Sequence, residues 1–95
     1  MRIPLPVAHQ QLIKVLKDER SKLQDLVWEL DDIEHSISVL EERMSFTPDL
    51  GSAHELERLR QRQDRLEDAV LHQMMYIDRL EERLDQLPYS TVRSA

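Results

Sequence analysis

The feature that most constrains this chain is a seven-residue repeat of apolar side chains, which occurs twice. In the first repeat the members recur at alternating intervals of three and four: Leu12, Leu16, Glu19, Leu23, Leu26, Leu30, Ile33, Ile37, Leu40 and Met44. The second repeat has the same spacing: Leu56, Leu59, Gln63, Leu66, Val70, Gln73, Ile77, Leu80, Leu84 and Leu87. Such spacing places one apolar stripe along each of two helices, as coiled coils require.

A break in the middle of the chain separates the two repeats. Between residues 7 and 87 the sequence has one proline, Pro48, and one glycine, Gly51, and both residue types interrupt helices. We therefore predict an all-α fold in which two helices form an antiparallel coiled-coil hairpin. The predicted bounds are an extended N-terminal arm at 1–6, a helix at 7–44, a turn at 45–51, a helix at 52–87 and a flexible C-terminal tail at 88–95.

The start of the second helix carries two competing local signals. Ser52 and Glu55 have the spacing of a capping box, in which each side chain bonds the other residue's backbone N–H. In the rival interpretation Thr47 caps a short turn that has Pro48 at its first position. The two arrangements are compatible if a short turn precedes the main helix.

The heptads also predict a register for the hairpin. In the first stripe position a begins at Leu16 and position d at Leu12, and in the second stripe position a begins at Leu56 and position d at Leu59. The a positions of one helix share layers with the d positions of the other when the two residue numbers add to 96, as for Leu40 and Leu56. In this register each polar member of a stripe faces an aliphatic residue. The same register predicts two ion pairs beside the turn: Arg43 with Glu55, and Glu34 with Arg60.

Three polar residues interrupt the apolar stripes, namely Glu19, Gln63 and Gln73. We interpret them as register-setting residues, since one polar core residue can fix helix alignment at some cost in stability. A buried ionised Glu19 is costly unless Lys22 or a residue of another chain partners it. A catalytic role for this carboxylate is the less favoured interpretation.

Apolar side chains also extend beyond the stripes in the open half of the hairpin, away from the turn. The predicted partner-binding residues are Ile13, Val15, Val27, Trp28, Ala69, Leu71, Met74, Met75 and Tyr76. Two helices cannot cover all of these, and burying one large apolar side chain is worth about 1.5 to 3 kcal/mol. We therefore predict assembly into a four-helix bundle, as a homodimer or with a helical protein partner.

The sequence predicts no catalytic, cofactor-binding or metal-binding site. It has no cysteine, which excludes thiolate nucleophiles and zinc–thiolate sites. Its four histidines fall at scattered heptad positions, where surface locations are expected: His9, His35, His54 and His72. Asp32 and His35 have the spacing of a carboxylate–histidine pair but point away from the seam.

The balance of charge disfavours nucleic acid as the partner. The net charge is −6, and duplex binding depends on Lys and Arg contacts to phosphates. The most basic stretch contains Arg58, Arg60, Arg62 and Arg65, and neighbouring carboxylates are expected to neutralise it. A small dimeric RNA- or DNA-binding regulator remains the alternative. In architecture alone, the predicted hairpin resembles the small plasmid copy-control proteins, which bind RNA as dimers of helical hairpins.

These observations predict a non-enzymatic protein–protein interaction module. Its class would be a small helical-hairpin adaptor or a chaperone-like subunit that docks through the apolar surface of the open half. No run of about 18 apolar residues is present to span a bilayer, and the N-terminus does not resemble a signal peptide. The expected location is the cytoplasm.

Overall fold

The computed structural model describes residues 7–87 and contains two helices that pack against each other as a hairpin. Helix α1 spans Val7–Phe46 and helix α2 spans Leu50–Asp85, and the described residues contain no strand. The predicted all-α two-helix hairpin is therefore confirmed. Its assembly into a four-helix bundle stays a prediction.

The hairpin divides into two compact units. The terminal unit combines the start of α1, through Leu23, with α2 from His72 onward. The turn unit is Gln24–Leu71 and contains the connection between the helices. Each unit has its own apolar core.

The core of the terminal unit is centred on three buried side chains: Leu16, Ile77 and Leu80. Leu16 is 2% exposed and Leu80 is 3% exposed. Partly buried members of the same stripes surround them, namely Leu12, Leu23 and Leu84. All six belong to the predicted a and d positions, so the heptad pattern identified this core.

The core of the turn unit is built from the same heptad positions. Its buried members are Ile33, Ile37, Leu56 and Leu66. Partly buried residues pack around them, namely Leu26, Leu30, Leu40, Met44 and Leu59. A two-helix seam thus buries its aliphatic stripe without enclosing a large interior.

The connection between the helices is shorter than predicted. Helix α1 continues two residues beyond Met44 to Phe46, and α2 begins at Leu50 rather than Ser52. The non-helical segment is therefore residues 47–49, and Gly51 lies inside the first turn of α2. Helix termini are set by capping contacts, which composition locates only approximately.

Asp49 is the residue that caps α2, so both predicted capping schemes are wrong. Its carbonyl oxygen accepts the hydrogen bond from Ala53 N at 3.1 Å, the first of the helical series. Its side-chain Oδ1 accepts a bond from Ser52 N at 3.0 Å, and Ser52 Oγ donates to Oδ2 at 2.6 Å. Aspartate is a strong N-cap because its carboxylate satisfies an otherwise free N–H.

Helix α2 ends two residues before its predicted end at Leu87. The helix stops at Asp85, and the chain continues in a turn with bonds from Gln86 N to Glu82 O at 3.1 Å and from Leu87 N to Leu84 O at 3.3 Å. A final tightened turn of this kind is common at helix C-termini. The predicted arm at 1–6 and tail at 88–95 lie outside the described residues.

Neither helix includes a segment with the length and apolar character that crossing a membrane requires, within the part of the chain described.

Candidate docking surfaces

The predicted partner-binding side chains are largely exposed in the hairpin. In the terminal unit five of the predicted residues are exposed, namely Ile13, Val15, Met74, Met75 and Tyr76. In the turn unit Val27, Trp28 and Leu71 are exposed, with Trp28 at 60%, while Ala69 is half-buried. These side chains are available to contact another molecule.

A shallow groove in the terminal unit brings two of the predicted residues together. Val15 of α1 and Tyr76 of α2 line it, and both are partly exposed, at 38% and 43%. The core residues Leu12 and Leu80 form part of its lining. The remaining lining residues are Ala8, Gln11, Arg83 and Leu87. The groove therefore offers an apolar surface continuous with the core of this unit.

A second groove lies in the turn unit, and none of the predicted partner-binding residues lines it. Its lining residues are His35, Ser36, Val39, Leu40, Arg43, Glu55 and Leu59. Val39 is 51% exposed and supplies the apolar side chain outside the core. The charged Arg43 and Glu55 border this groove.

The residues beside the turn include the most exposed large apolar side chains. Phe46 is 80% exposed and Leu50 is 74% exposed. Apolar exposure is thus not confined to the ends away from the turn, as the sequence had suggested. A signal was present, because Val39 and Phe46 are seven residues apart and therefore share one face of α1.

The polar contact within the terminal unit's seam joins two of the predicted register-setting residues. Gln73 Nε2 donates to the Glu19 carbonyl oxygen at 2.9 Å and to Glu19 Oε2 at 2.6 Å. Lys22 Nζ bonds the other carboxylate oxygen at 3.0 Å. Glu19 and Gln73 therefore bond each other across the seam, a contact that the predicted layers, which pair each polar residue with an aliphatic one, did not include.

These contacts stabilise the charged form of Glu19. The hydrogen bond from Gln73, followed by the one from Lys22, lowers the pKa of this carboxyl below its ordinary value. The carboxylate is only 12% exposed, so its partners replace much of the hydration that it loses. Gln63, the third predicted register residue, is half-buried in the turn unit, and its side chain makes no hydrogen bond with residues 7–87.

Ion pairs neutralise most of the basic stretch in the turn unit. Arg60 Nη2 lies 3.4 Å from Glu41 Oε2, and Arg62 pairs with Glu29 across the hairpin. Arg58 pairs with Glu55 at 3.9 Å. The predicted partners of Arg60 and Glu55 are thus wrong, while the predicted neutralisation of this stretch by carboxylates is confirmed for three of its four arginines.

The histidines do not form a site. His9, near the start of α1, is 7% exposed, contrary to the predicted surface location. The other three histidines are exposed: His35, His54 and His72. Within residues 7–87 no three acidic or imidazole side chains are arranged to hold a metal ion.

Comparison with known proteins gives no relative: no protein-family model, no curated protein and no solved structure matches this chain.

Proposed function

We propose that this protein is a non-enzymatic protein–protein interaction module, a helical-hairpin adaptor or chaperone-like subunit. It docks a partner through the apolar side chains that its two helices leave exposed. The observation that carries the proposal is the groove of the terminal unit, where Val15 and Tyr76 stand partly exposed beside the buried core.

Burial energetics support this proposal. Covering one such side chain is worth about 1.5 to 3 kcal/mol, and exposed apolar patches on small proteins commonly mark interaction sites. The helices of a four-helix bundle carry an apolar stripe wider than a two-helix seam needs. The exposed Val15 and Tyr76 directly precede members of the apolar stripes, at heptad position g, and they would widen the stripe in this way.

Nucleic acid is a weaker partner for this hairpin. Phosphate binding needs cationic side chains that are free to contact the ligand. Arg58, Arg60 and Arg62 each contact a carboxylate instead. The net charge of −6 also opposes attraction to a polyanion.

The test compares the wild type with a double variant that carries both Val15→Glu and Tyr76→Glu. Sedimentation velocity of the purified chains would measure self-association, and capture from an extract of the native source would recover any helical partner. We expect the double variant to lose the association that the wild type shows, whichever partner is involved. Two charges buried in an apolar contact would be strongly unfavourable.

The matched control is Ser21→Glu with Gln24→Glu, which adds the same charge at exposed polar positions of α1. This control should associate like the wild type, and circular dichroism should show all three chains equally helical. Equal binding by the wild type and the groove variant would overturn the proposal. So would a wild type that neither self-associates nor binds a protein.

A further inference from the structure

Each helix carries a row of like charges outside the apolar stripes. On α1 the acidic row has a spacing of seven: Asp18, Asp25 and Asp32. On α2 the basic residues at the same heptad position are Arg58, Arg65 and Arg79. Residues seven apart lie two turns apart on one helix face, so within each unit the members of a row lie on the same face of their helix.

In the terminal unit each row has a member about one helical turn from a residue that lines the groove. Asp18 is three residues after Val15, and Arg79 is three residues after Tyr76, so each charge lies on the same side of its helix as a groove residue. Asp18 and Arg79 are exposed. The face that contains the groove therefore carries an acidic side chain from α1 and a basic side chain from α2.

The two charges also lie at the same level along the helices. Leu16 and Leu80 pack in one core cluster. Asp18 is two residues closer to the turn than Leu16, and Arg79 is one residue closer to the turn than Leu80. With a rise of about 1.5 Å per residue, the two charged residues are nearly level.

The turn unit repeats this arrangement. Asp32 and Arg65 directly precede Ile33 and Leu66, which belong to one core cluster. Val39 follows Asp32 by seven residues and lines the groove of this unit, so here too an acidic residue lies on the same side of α1 as a groove residue.

Five of these charged residues have no ionic partner inside the hairpin. Among residues 7–87, the side chains without an ion pair within 4.0 Å are Asp18, Asp25, Asp32, Arg65 and Arg79. Other charged residues at the seam do pair across it, for example Arg20 with Glu81 at 2.9 Å. These unpaired side chains are therefore free to pair with another molecule.

We propose that the occupant of this face is a second copy of the chain, related by a two-fold axis parallel to the helices. This inference rests on the proposed function and names its partner. Such an axis places α1 of one copy beside α2 of the other at the same level. In the terminal unit Asp18 then faces Arg79 of the second copy, and in the turn unit Asp32 faces Arg65 of the second copy.

The alternative symmetry is disfavoured by the same charges. A two-fold axis perpendicular to the helices places α1 against α1 and α2 against α2. Aspartates would then face aspartates and arginines would face arginines, which costs binding free energy. Charge complementarity thus selects both the partner and the orientation, while Val15 and Tyr76 supply the apolar contact at the centre of the terminal unit's face.

Charge reversal tests this arrangement. One variant carries Asp18→Lys with Asp32→Lys, a second carries Arg65→Glu with Arg79→Glu, and a third combines all four changes. Each of the first two variants should raise the dimer Kd about tenfold or more, because both edges of its face would carry like charge. The combined variant exchanges the two rows and should restore the wild-type Kd to within about threefold.

A control reverses two exposed aspartates on the other side of the hairpin, Asp31→Lys with Asp78→Lys, and should leave the Kd unchanged. Sedimentation equilibrium at low and high salt gives each Kd, and circular dichroism confirms that each chain is helical. Salt should weaken the wild-type dimer by screening these pairs. Rescue by the combined variant would separate an interface effect from a loss of folding.

The outcomes distinguish this inference from the proposed function. A wild-type dimer that tolerates the first two variants would overturn the charge-matched symmetry and leave apolar docking standing. A monomeric wild type that still binds a different helical protein through Val15 and Tyr76 would overturn the second copy as occupant. A wild type without any protein partner would overturn both.

Discussion

Gln73 Nε2 lies 2.6 Å from Glu19 Oε2 and 2.9 Å from the Glu19 carbonyl oxygen, so one amide group holds both the side chain and the backbone of the opposite helix. This contact lies within the aliphatic seam of the terminal unit. It favours one alignment of the two helices, because a shifted alignment would leave a half-buried carboxylate without its donor.

Replacing the Gln73 side chain alone should destabilise the hairpin more than replacing both Gln73 and Glu19. Gln73→Leu leaves the Glu19 carboxylate with Lys22 as its remaining partner, so the melting temperature should fall. Adding Glu19→Leu replaces both polar groups by aliphatic ones, which should recover most of that loss. Thermal denaturation of both single variants and the double variant measures the coupling. Additive effects of the two changes would contradict this prediction.

The Glu19 carboxyl should make the hairpin less stable in acid. Its pKa in the folded state lies below the ordinary value of 4.5, so the unfolded chain takes up this proton more readily than the folded chain. The stabilising contribution is therefore complete above about pH 4.5 and is lost as the pH falls through the folded pKa. Comparing Glu19→Gln with the wild type by urea denaturation, the stability difference should shrink below pH 4.5. A constant difference would contradict the assignment.

The cap of α2 depends on the carboxylate of Asp49. Asp49→Ala should lower the melting temperature and increase amide exchange in the first turn of α2, because Ser52 N loses its acceptor. Asp49→Asn keeps a side-chain oxygen acceptor and serves as the control. Ser52→Ala removes the hydroxyl bond to Asp49 and should cost about 1 kcal/mol. Equal exchange rates in the alanine and asparagine variants would show that the cap contributes little.

The effect of an alanine at Gly51 should depend on Asp49. A Cβ at this position would lie 3.1 Å from Asp49 Oδ1, which is tight for a carboxylate already bonded to Ser52 N. Alanine also favours helix over glycine by up to about 1 kcal/mol. Gly51→Ala should therefore stabilise the chain more in the Asp49→Ala background than in the wild type. Identical gains in both backgrounds, measured by urea denaturation, would exclude the crowding.

Replacing a buried stripe residue by alanine should cost much more stability than replacing an exposed apolar residue. Leu16 is 2% exposed, and Leu16→Ala should cost about 2 to 5 kcal/mol in free energy of unfolding. Leu71 is 54% exposed, and the matched Leu71→Ala should change the stability of the isolated chain by about 0.5 kcal/mol or less. If Leu71→Ala is as damaging as Leu16→Ala, Leu71 is buried in the molecule as it exists in solution.

The seven-residue repeat was sufficient to predict the hairpin and its two cores, because a and d positions determine which face of a helix is buried. The helix bounds at the turn were less predictable. Gly51 was interpreted as a helix stop, yet it occupies the first turn of α2, where the nearby Asp49 carboxylate supplies the cap. Which of several adjacent polar residues caps a helix depends on backbone geometry that composition does not specify.

The candidate surfaces were predicted in part. The exposure of Trp28 and Met74 followed from positions outside the stripes. That of Phe46 was not predicted, because the residues flanking the stripes near the turn are mostly charged or small. The burial of His9 was also missed, although His9 lies seven residues before Leu16 and therefore shares its face of α1. Long side chains likewise choose among several carboxylates, so Arg60 pairs with Glu41 rather than with Glu34.

Because Gln73 bonds Glu19, the alignment of the two helices in the terminal unit does not depend on the length of the connecting segment. The alignment of the terminal unit is set by a hydrogen bond and three buried side chains that lie outside the turn unit. A glycine inserted after Thr47 would therefore be accommodated as a longer loop, since slipping one helix past the other would sacrifice that bond. Residues could therefore be inserted into this connecting segment, by evolution or by design, without changing which residues of the two helices contact each other.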